Sequence, residues 1–302
     1  MSMQTTMPRI VSSGVEIEAL EWLKPSTHLL GDMPALRERM HHDGYLYMPG
    51  LLHRQEVLDV RAEVCKRLMA IDFLLPGTDP MDGIINPNQK KNLSMEEIAQ
   101  DNAPLHKLLH QGPMIEFFNE FLGEPARYFD YTWFRSIPPG RGTASHCDIV
   151  YMGRGERERL FTVWTPMGDI DFQQGGLMML PGSHRHERLK STYGQMDVDS
   201  YCENKPDAKA WGKTWGTGGH LKGNPNQIAR SVGSTWHAGE FQAGDCMIFT
   251  MFTIHASMDN HSNKVRLSSD SRYQPISAVA DERWIGTNPI GHGAAGKQGK
   301  IC

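Results

Sequence analysis

The chain has 302 residues, a formal net charge of −4, 39 % hydrophobic residues and 9 % aromatic residues. This size and composition are typical of a globular protein that buries a sizeable core. The slightly acidic balance does not favour partners such as nucleic acid or an anionic membrane surface. Five scattered cysteines without CxxC spacing indicate reduced thiols, and no apolar run is long enough to span a membrane. The start of the chain lacks the pattern of a secretory signal, so we predict a cytoplasmic protein.

The N-terminal third of the chain is predicted to be mostly helical. Residues 1–30 form a polar lead, and residues 33–42 have the pattern of a short amphipathic helix. Residues 44–52 alternate like a strand that ends in a turn. Residues 54–69 then place apolar side chains at helical spacing, and a further helix is predicted over 104–122. We expect these helices to flank a sheet structure rather than to carry chemistry.

From Ala126 onwards the pattern becomes rich in short strands. Residues 127–137 alternate, 160–166 form an apolar run, and 173–184 have the pattern of turn, strand and turn. Short strands separated by Gly and Pro turns predict an antiparallel sandwich or barrel. We therefore predict one domain over 1–302, mainly β with flanking helices. With the ligands described below, its natural architecture is a cupin-like double-stranded β-helix, or jelly roll.

Two segments depart from this strand pattern. Residues 186–240 are polar and long for a hairpin loop, and insertions of this kind are often lids. Trp211, Trp215 and Trp236 in this segment would either pack over an apolar or aromatic substrate or anchor the loop to the barrel. Residues 287–302, rich in Gly and Ala, are predicted to form a flexible tail.

His146, Asp148 and His255 are the candidate metal ligands. The first two are two residues apart, and in a strand that spacing puts both side chains on one face. His255 ends a long apolar run and would supply a second imidazole. Two histidines and one carboxylate with open positions are the usual ligands of non-haem Fe(II) oxygenases. A second His-x-Asp triplet, at 41–43, lies at the polar end of a predicted helix and is not interpreted as a metal site.

Arg266 follows His255 by eleven positions. A strand, a polar turn and a returning strand would place this arginine beside the strand that carries His255. A buried guanidinium at that position could bind a dicarboxylate through two parallel hydrogen bonds.

These residues together resemble the phytanoyl-CoA dioxygenase-like family of Fe(II)/2-oxoglutarate oxygenases. Further matches are 43–46 near the start, Trp164 within 163–166, and the Gly-Gly-Leu to Pro-Gly-Ser-His-Arg stretch at 175–185. The resemblance covers about residues 35–275. It also implies the jelly-roll fold predicted above.

The resemblance further implies the cofactors and the roles of individual residues. Fe(II) would be held by His146, Asp148 and His255, with 2-oxoglutarate as co-substrate and O2 as oxidant. The distal carboxylate of 2-oxoglutarate would pair with Arg266, assisted by the hydroxyl of Ser268. By the same analogy, Trp164 would line this pocket.

The expected reaction is hydroxylation of a C–H bond in a small molecule, with succinate and CO2 as co-products. Aromatic residues of the predicted lid and the methionines at 178 and 179 favour an apolar or aromatic substrate. No basic cluster suited to the phosphates of coenzyme A is evident. The overall pattern is similar to the fungal polyketide-tailoring branch of the family, which hydroxylates aryl methyl groups, so we predict a secondary-metabolite substrate.

Several alternatives share parts of this pattern. Desaturation, ring expansion or an acyl-CoA substrate would use the same ligands. A non-catalytic metal-binding jelly roll is a different class, and Arg266 argues against it because an inert barrel does not need that carboxylate contact. A Zn(II) or Mn(II) cupin enzyme without 2-oxoglutarate is a further option. Halogenases of this superfamily lack the carboxylate ligand, so Asp148 argues against that activity.

Overall fold

Two β-sheets form the centre of the molecule in the computed structural model, which describes residues 8–91, 93–200 and 219–292. The larger sheet has the order β4 (Tyr45–Met48), β10 (Cys246–Thr250), β7 (Phe161–Pro166), β12 (Arg266–Pro275) and β5 (Ala126–Tyr128), and β6 (Trp133–Ile137) also pairs with β12. The smaller sheet has the order β11 (His255–Ser257), β8 (Leu177–Met179), β9 (Trp236–Ala238) and β3 (Leu20–Trp22). A separate hairpin joins β1 (Val11–Ser12) to β2 (Val15–Glu16). The predicted mainly β jelly roll with flanking helices is confirmed.

The strands of the larger sheet alternate between two environments. In β10, Cys246 and Ile248 pack against the helical layer, whereas Met247 and Phe249 join an apolar cluster with Leu177 of the smaller sheet. This follows from the two-residue period of a strand, which sends successive side chains to opposite faces. The larger sheet therefore has an outer face against helices and an inner face towards the smaller sheet.

Helices cover the outer face of the larger sheet. They are α1 (Met33–Asp43), α2 (Arg54–Ala70), α3 (Met95–Ala99), α4 (Ala103–His110) and α5 (Gly112–Leu122). Asp32 caps α1 by accepting from the Ala35 N–H, and the helix ends where Gly44 adopts a φ of 80°. Phe118 of α5 stacks on Tyr273 of β12 with ring centroids 4.2 Å apart. Burial of these apolar side chains fixes the larger sheet against its helices.

Three further helices lie nearer the smaller sheet: α6 (Ile149–Met152), α7 (Glu187–Ser191) and α8 (Pro225–Val232). Short 3-10 turns occupy Thr27–Leu29, Pro80–Asp82, Arg157–Arg159, Ser183–Arg185, Tyr193–Gln195, Val198–Ser200 and Glu282–Trp284. Within the described residues, no helix has the length and apolar character needed to cross a membrane.

The segments predicted outside the barrel are partly built into it. Residues 20–22 of the polar lead form β3, which pairs in parallel with β9. Trp236, assigned to the predicted lid, is fully buried in β9 and donates its indole N–H to the Pro225 carbonyl. The lid assignment is therefore wrong for the end of the segment that forms β9. Trp211 and Trp215 lie outside the described residues, so the lid stays a prediction for them.

The predicted tail from 287 is described only as far as residue 292. The ring of His292 lies 4.5 Å from that of Trp284, and its Nδ1 is 2.7 Å from Asp199 Oδ2. Residues 287, 288 and 290 are exposed, so the segment contacts the domain through the His292 side chain, and the remainder lies outside the described residues.

Candidate active site

A short backbone pairing brings the two candidate histidine ligands together. His146 and His255 form an isolated antiparallel bridge, with N–H to carbonyl distances of 3.0 Å in both directions. Their ring centroids are 4.2 Å apart. Asp148 follows at the N-terminal end of α6. The strand predicted to carry His146 and Asp148 is wrong beyond the bridge at His146, because residues 149–152 form that helix and the Ile149 N–H donates to the Met251 carbonyl.

The three side chains converge on one point. Nδ1 of His146 lies 2.8 Å from the Ala144 carbonyl, and Nδ1 of His255 lies 3.1 Å from the Thr253 carbonyl. Each ring can therefore donate through Nδ1 and present a lone pair at Nε2, the tautomer suited to metal binding. Both Nε2 atoms lie 3.6 Å from Asp148 Oδ1. The candidate ligand atoms all lie within 4.8 Å of one another.

The charge states of this buried cluster suit a divalent metal. Burial, reinforced by repulsion from His146, lowers the pKa of His255 to about 4, so the imidazole is neutral at pH 7. Burial would raise the pKa of Asp148, but attraction from the Arg272 charge outweighs it and holds the pKa well below its usual range. A neutral imidazole and an ionised carboxylate are the forms that coordinate metal.

The second oxygen of Asp148 is occupied by partners that the sequence did not reveal. Oδ2 accepts from Nη2 of Arg272 at 2.7 Å and from Oγ1 of Thr162 at 2.6 Å. The Arg272 guanidinium also lies 4.2 Å above the ring of Trp133. These contacts leave Oδ1 facing the histidines. The signal for Arg272 was strand alternation, because it lies six residues after Arg266 on the same face of β12.

A cavity between the sheets adjoins the three candidate ligands. Its walls include Trp164 and Arg266, both predicted as cofactor-binding residues, together with Leu177 and Phe249. The sequence predicted that Arg266 would lie beside the strand of His255, and this placement is wrong. Strand β12 belongs to the larger sheet and β11 to the smaller one, so Arg266 and His255 approach the cavity from opposite sheets.

Arg266 lacks a carboxylate partner among the described residues. Its Nη1 donates to the Gly175 carbonyl, while its buried Nε has no hydrogen-bond partner there. Burial and repulsion from Arg135 lower its pKa to about 10. Ser268, which shares the inner face of β12, also has a buried hydroxyl without a partner. These orphaned donors fit an incoming carboxylate such as the distal end of 2-oxoglutarate.

The turn that contacts Arg266 requires glycine. Gly175 has a φ of +75°, and a Cβ there would lie 2.7 Å from the Met258 carbonyl oxygen. A side chain would therefore force the turn away from β11 and move the carbonyl that Arg266 contacts.

A third arginine reaches the same cavity. Arg135 of β6 donates its Nε to Asp270 Oδ2 at 2.7 Å, and both residues belong to the cavity lining. Its strand position lies opposite Ser268 of β12. The sequence placed Arg135 in an alternating strand, and no local pattern indicated which face it would occupy.

Comparisons with known proteins agree with this geometry. The 1-deoxypentalenic acid 11-beta-hydroxylase of Streptomyces exfoliatus is 26 % identical over 264 residues, covering 83 % of this chain and 84 % of that protein. The ectoine dioxygenase of Nocardia farcinica is 26 % identical over 223 residues, covering 72 % and 70 %.

Solved structures show the same fold at lower identity. The 2-oxoglutarate-dependent epimerase SnoN from nogalamycin biosynthesis superposes with a TM-score of 0.56 at 18 % identity, covering 87 % of this chain and 94 % of SnoN. EctD from S. alaskensis, solved with 2-oxoglutarate and 5-hydroxyectoine, gives 0.54 at 17 % identity, covering 95 % and 96 %.

The family comparison covers most of the chain. The sequence pattern of the phytanoyl-CoA dioxygenase (PhyH) family matches residues 40–268, which include all three candidate ligands and Arg266. The expected enzyme class, a 2-oxoglutarate-dependent non-haem iron dioxygenase using O2, is confirmed at the level of the family. This chain belongs to the phytanoyl-CoA dioxygenase family.

Proposed function

We propose that this enzyme hydroxylates a C–H bond of a small secondary-metabolite substrate, aromatic or polyketide-like, and releases succinate and CO2. The observation that carries the proposal is the shared cavity. His146, Asp148 and His255 converge on it, and the adjoining strand face carries donors of Arg266 and Ser268 that have no partner within the described ranges. A metal ligand set beside buried donors suited to a carboxylate is what an Fe(II)/2-oxoglutarate reaction requires.

The residues divide into those that would hold iron and those that would hold the co-substrate. His146 Nε2, His255 Nε2 and Asp148 Oδ1 are the metal ligands, and Arg266 with Ser268 binds the distal carboxylate of 2-oxoglutarate. When bound, iron, 2-oxoglutarate and O2 supply the oxidising chemistry that converts a C–H bond to an alcohol.

The protein contributes placement and exclusion of water. Trp164, Leu177 and Phe249 give the cavity an apolar wall, with relative exposures of 5 % or less. Arg272 and Thr162 occupy Asp148 Oδ2, so the carboxylate is oriented before a metal arrives. A ligand that is already oriented loses less conformational entropy on binding, which favours a single coordination geometry.

The relatives support a secondary-metabolite substrate over an acyl-CoA. One acts on 1-deoxypentalenic acid, and SnoN comes from nogalamycin biosynthesis. The aromatic or polyketide-like character of the substrate is carried over from the sequence pattern and belongs to the proposal.

An anaerobic titration with Fe(II) and 2-oxoglutarate tests the proposed cofactor chemistry. We expect a visible metal-to-ligand charge-transfer band in the wild type, no band in His255→Ala, and a band that needs more 2-oxoglutarate in Arg266→Met. Absence of the band in folded wild-type protein would contradict the proposal. Product analysis after admitting O2, with methylarene and polyketide substrates against acyl-CoA, then tests the substrate class through substrate-dependent succinate and the alcohol formed.

A further inference from the structure

Arg135 has donors that the proposed iron and 2-oxoglutarate chemistry leaves unused. Its Nε is bound to Asp270, but its two terminal nitrogens have no hydrogen-bond partner among the described residues. Its side chain is 31 % accessible, whereas that of Arg272 is 1 % accessible. Of these two arginines in the cavity wall, Arg135 is therefore the one that can meet a ligand entering from solvent.

The charges of the cavity wall leave room for one more anion. Arg135, Arg266 and Arg272 contribute three positive charges, and Asp148 and Asp270 contribute two negative ones. The charges of a divalent iron and of dianionic 2-oxoglutarate cancel each other. One positive charge therefore remains in a partly desolvated cavity, where an uncompensated charge is costly.

The position of Arg135 separates it from the distal carboxylate site. Arg266 is 1 % exposed and its Nη1 faces Gly175, so it forms the closed end of the cavity. Arg135 lies one strand away on β6, with Asp270 fixing one edge of its guanidinium. That ion pair holds the planar group in place and leaves the opposite edge to form two parallel hydrogen bonds.

We propose that Arg135 binds a carboxylate of the organic substrate, so that this enzyme prefers substrates with an apolar body and an acid group. The inference rests on the proposed function and names the substrate class. Leu177 and Phe249 contact the apolar body, and the terminal nitrogens of Arg135 pair with the acid. The same chemistry could also serve the metal-proximal carboxylate of 2-oxoglutarate, and the test separates the two sources.

The test uses 4-fluorobenzoate as an acidic probe and 4-fluorobenzamide as its neutral counterpart. Full-length protein is loaded anaerobically with Fe(II) and saturating 2-oxoglutarate, and broadening of the probe's fluorine NMR line by the paramagnetic iron reports binding near the metal. We expect stronger broadening of the benzoate than of the benzamide. A charge-assisted hydrogen bond of about 1.5–3 kcal/mol corresponds to about 10- to 100-fold in affinity, so Arg135→Gln should weaken benzoate binding by that factor.

Three variants make the result specific. Arg135→Lys keeps the charge and should retain part of the binding. Arg54→Gln is the matched control, because Arg54 also pairs with an aspartate, Asp169, but on the surface and away from the cavity. If Arg135→Gln does not fold because Asp270 is left without its cation, the double variant Arg135→Gln/Asp270→Asn removes both charges and replaces it.

The outcomes distinguish this inference from the proposed function. Equal broadening of both probes in the wild type, or unchanged benzoate binding in Arg135→Gln, overturns it. So does a loss of 2-oxoglutarate affinity in Arg135→Gln of similar size, measured by the visible band without probe, because the arginine would then serve the co-substrate. If the wild type shows no band at all, the proposed function itself fails.

Discussion

The two faces of β12 differ in their surroundings and in the side chains that they carry. On the outer face, Leu267 and Tyr273 pack into the apolar layer under the helices, and the Tyr273 hydroxyl donates to the Leu109 carbonyl. On the inner face, Arg266, Ser268 and Arg272 are buried, and several of their polar atoms have no partner among the described residues. The outer face is mainly apolar, although the buried Ser271 hydroxyl has no partner among the described residues. The inner face carries the two arginines and the serine hydroxyl that could serve ligands.

The two arginines of the inner face differ in how their charges are compensated. Arg272 is already paired with Asp148 and stacks on Trp133, so its charge is compensated without any ligand. Among the described residues Arg266 contacts a carbonyl oxygen and no carboxylate, so we expect its charge to be compensated by an anionic ligand. Removing the first should therefore damage the apoprotein, and removing the second should damage only ligand binding.

Arg272→Met is expected to have the largest effect. It leaves Asp148 buried without its counter-charge, and breaking a buried pair from one side costs about 3–5 kcal/mol. Urea unfolding of the metal-free protein at pH 7.5 measures the loss. Arg272→Lys should recover part of the stability. A loss no larger than that of Arg266→Met would contradict the division between the two arginines.

Arg266→Met tests the other half of the comparison. In the described part of the chain Arg266 has no carboxylate partner, so the free energy of unfolding of the apoprotein should stay unchanged or rise. The affinity for 2-oxoglutarate should fall by about 10- to 100-fold, as expected for losing a charge-assisted hydrogen bond. The visible-band titration measures the affinity, and Fe(II) binding without 2-oxoglutarate serves as the control. A marked loss of apoprotein stability would show that Arg266 is structural.

Local patterns in the sequence were sufficient for the outer architecture and for finding the candidate metal ligands. Helical spacing over 54–69 and alternation over 127–137 reflect which side chains meet the core, so they predicted α2 and β6. The His-x-Asp triplet and the distal His255 were recognisable because each lies next to a distinctive strand or turn. The structure brings them together, and their role as iron ligands stays a prediction.

Contacts between distant segments were beyond those patterns. Ile149, Val150 and Tyr151 have β-forming side chains, yet a hydrogen bond to Met251 and the adjoining turn make them helical. Arg272 lies 124 residues from Asp148, and its partner depends on how the strands are registered across the barrel. The sequence predicted a returning strand at Arg266, but the alternation was not followed along it to Arg272.

His110 offers a pH test of the outer layer. Its ring stacks on Tyr128 at 3.8 Å, and burial together with His106 lowers its pKa to about 3. The unfolded chain, with a histidine pKa of about 6.5, takes up this proton first, so stability is lost as the pH falls from 6.5 towards 3. Each pH unit below 6.5 lowers the free energy of unfolding by about 1.4 kcal/mol, so the loss at pH 5 is about 2 kcal/mol.

His110→Phe should remove this pH-dependent loss while keeping a ring on Tyr128. We expect the difference in free energy of unfolding between the variant and the wild type to be about 2 kcal/mol more favourable to the variant at pH 5 than at pH 8. Urea unfolding at both pH values measures this difference. His53→Gln, which changes an exposed histidine, is the control for replacing a histidine side chain. An equal shift at both pH values would mean that packing, rather than protonation, separates His110→Phe from wild type.

The smallest expected effect concerns two threonines on opposite faces of β7. Thr162 faces inwards and donates to Asp148 Oδ2 at 2.6 Å, whereas the hydroxyl of Thr165 is buried without a partner among the described residues. Thr162→Val keeps the shape and loses one hydrogen bond, so stability should fall by about 1–2 kcal/mol and Fe(II) affinity by a few-fold. Thr165→Val removes a hydroxyl that gains nothing from burial and should be neutral or stabilising.

Equal effects of the two variants in unfolding and in Fe(II) titration would mean that the contact between Thr162 and Asp148 has no value beyond packing. If only Thr162→Val lowers the free energy of unfolding, and it also weakens Fe(II) binding, then the hydroxyl of Thr162 orients the metal ligand Asp148.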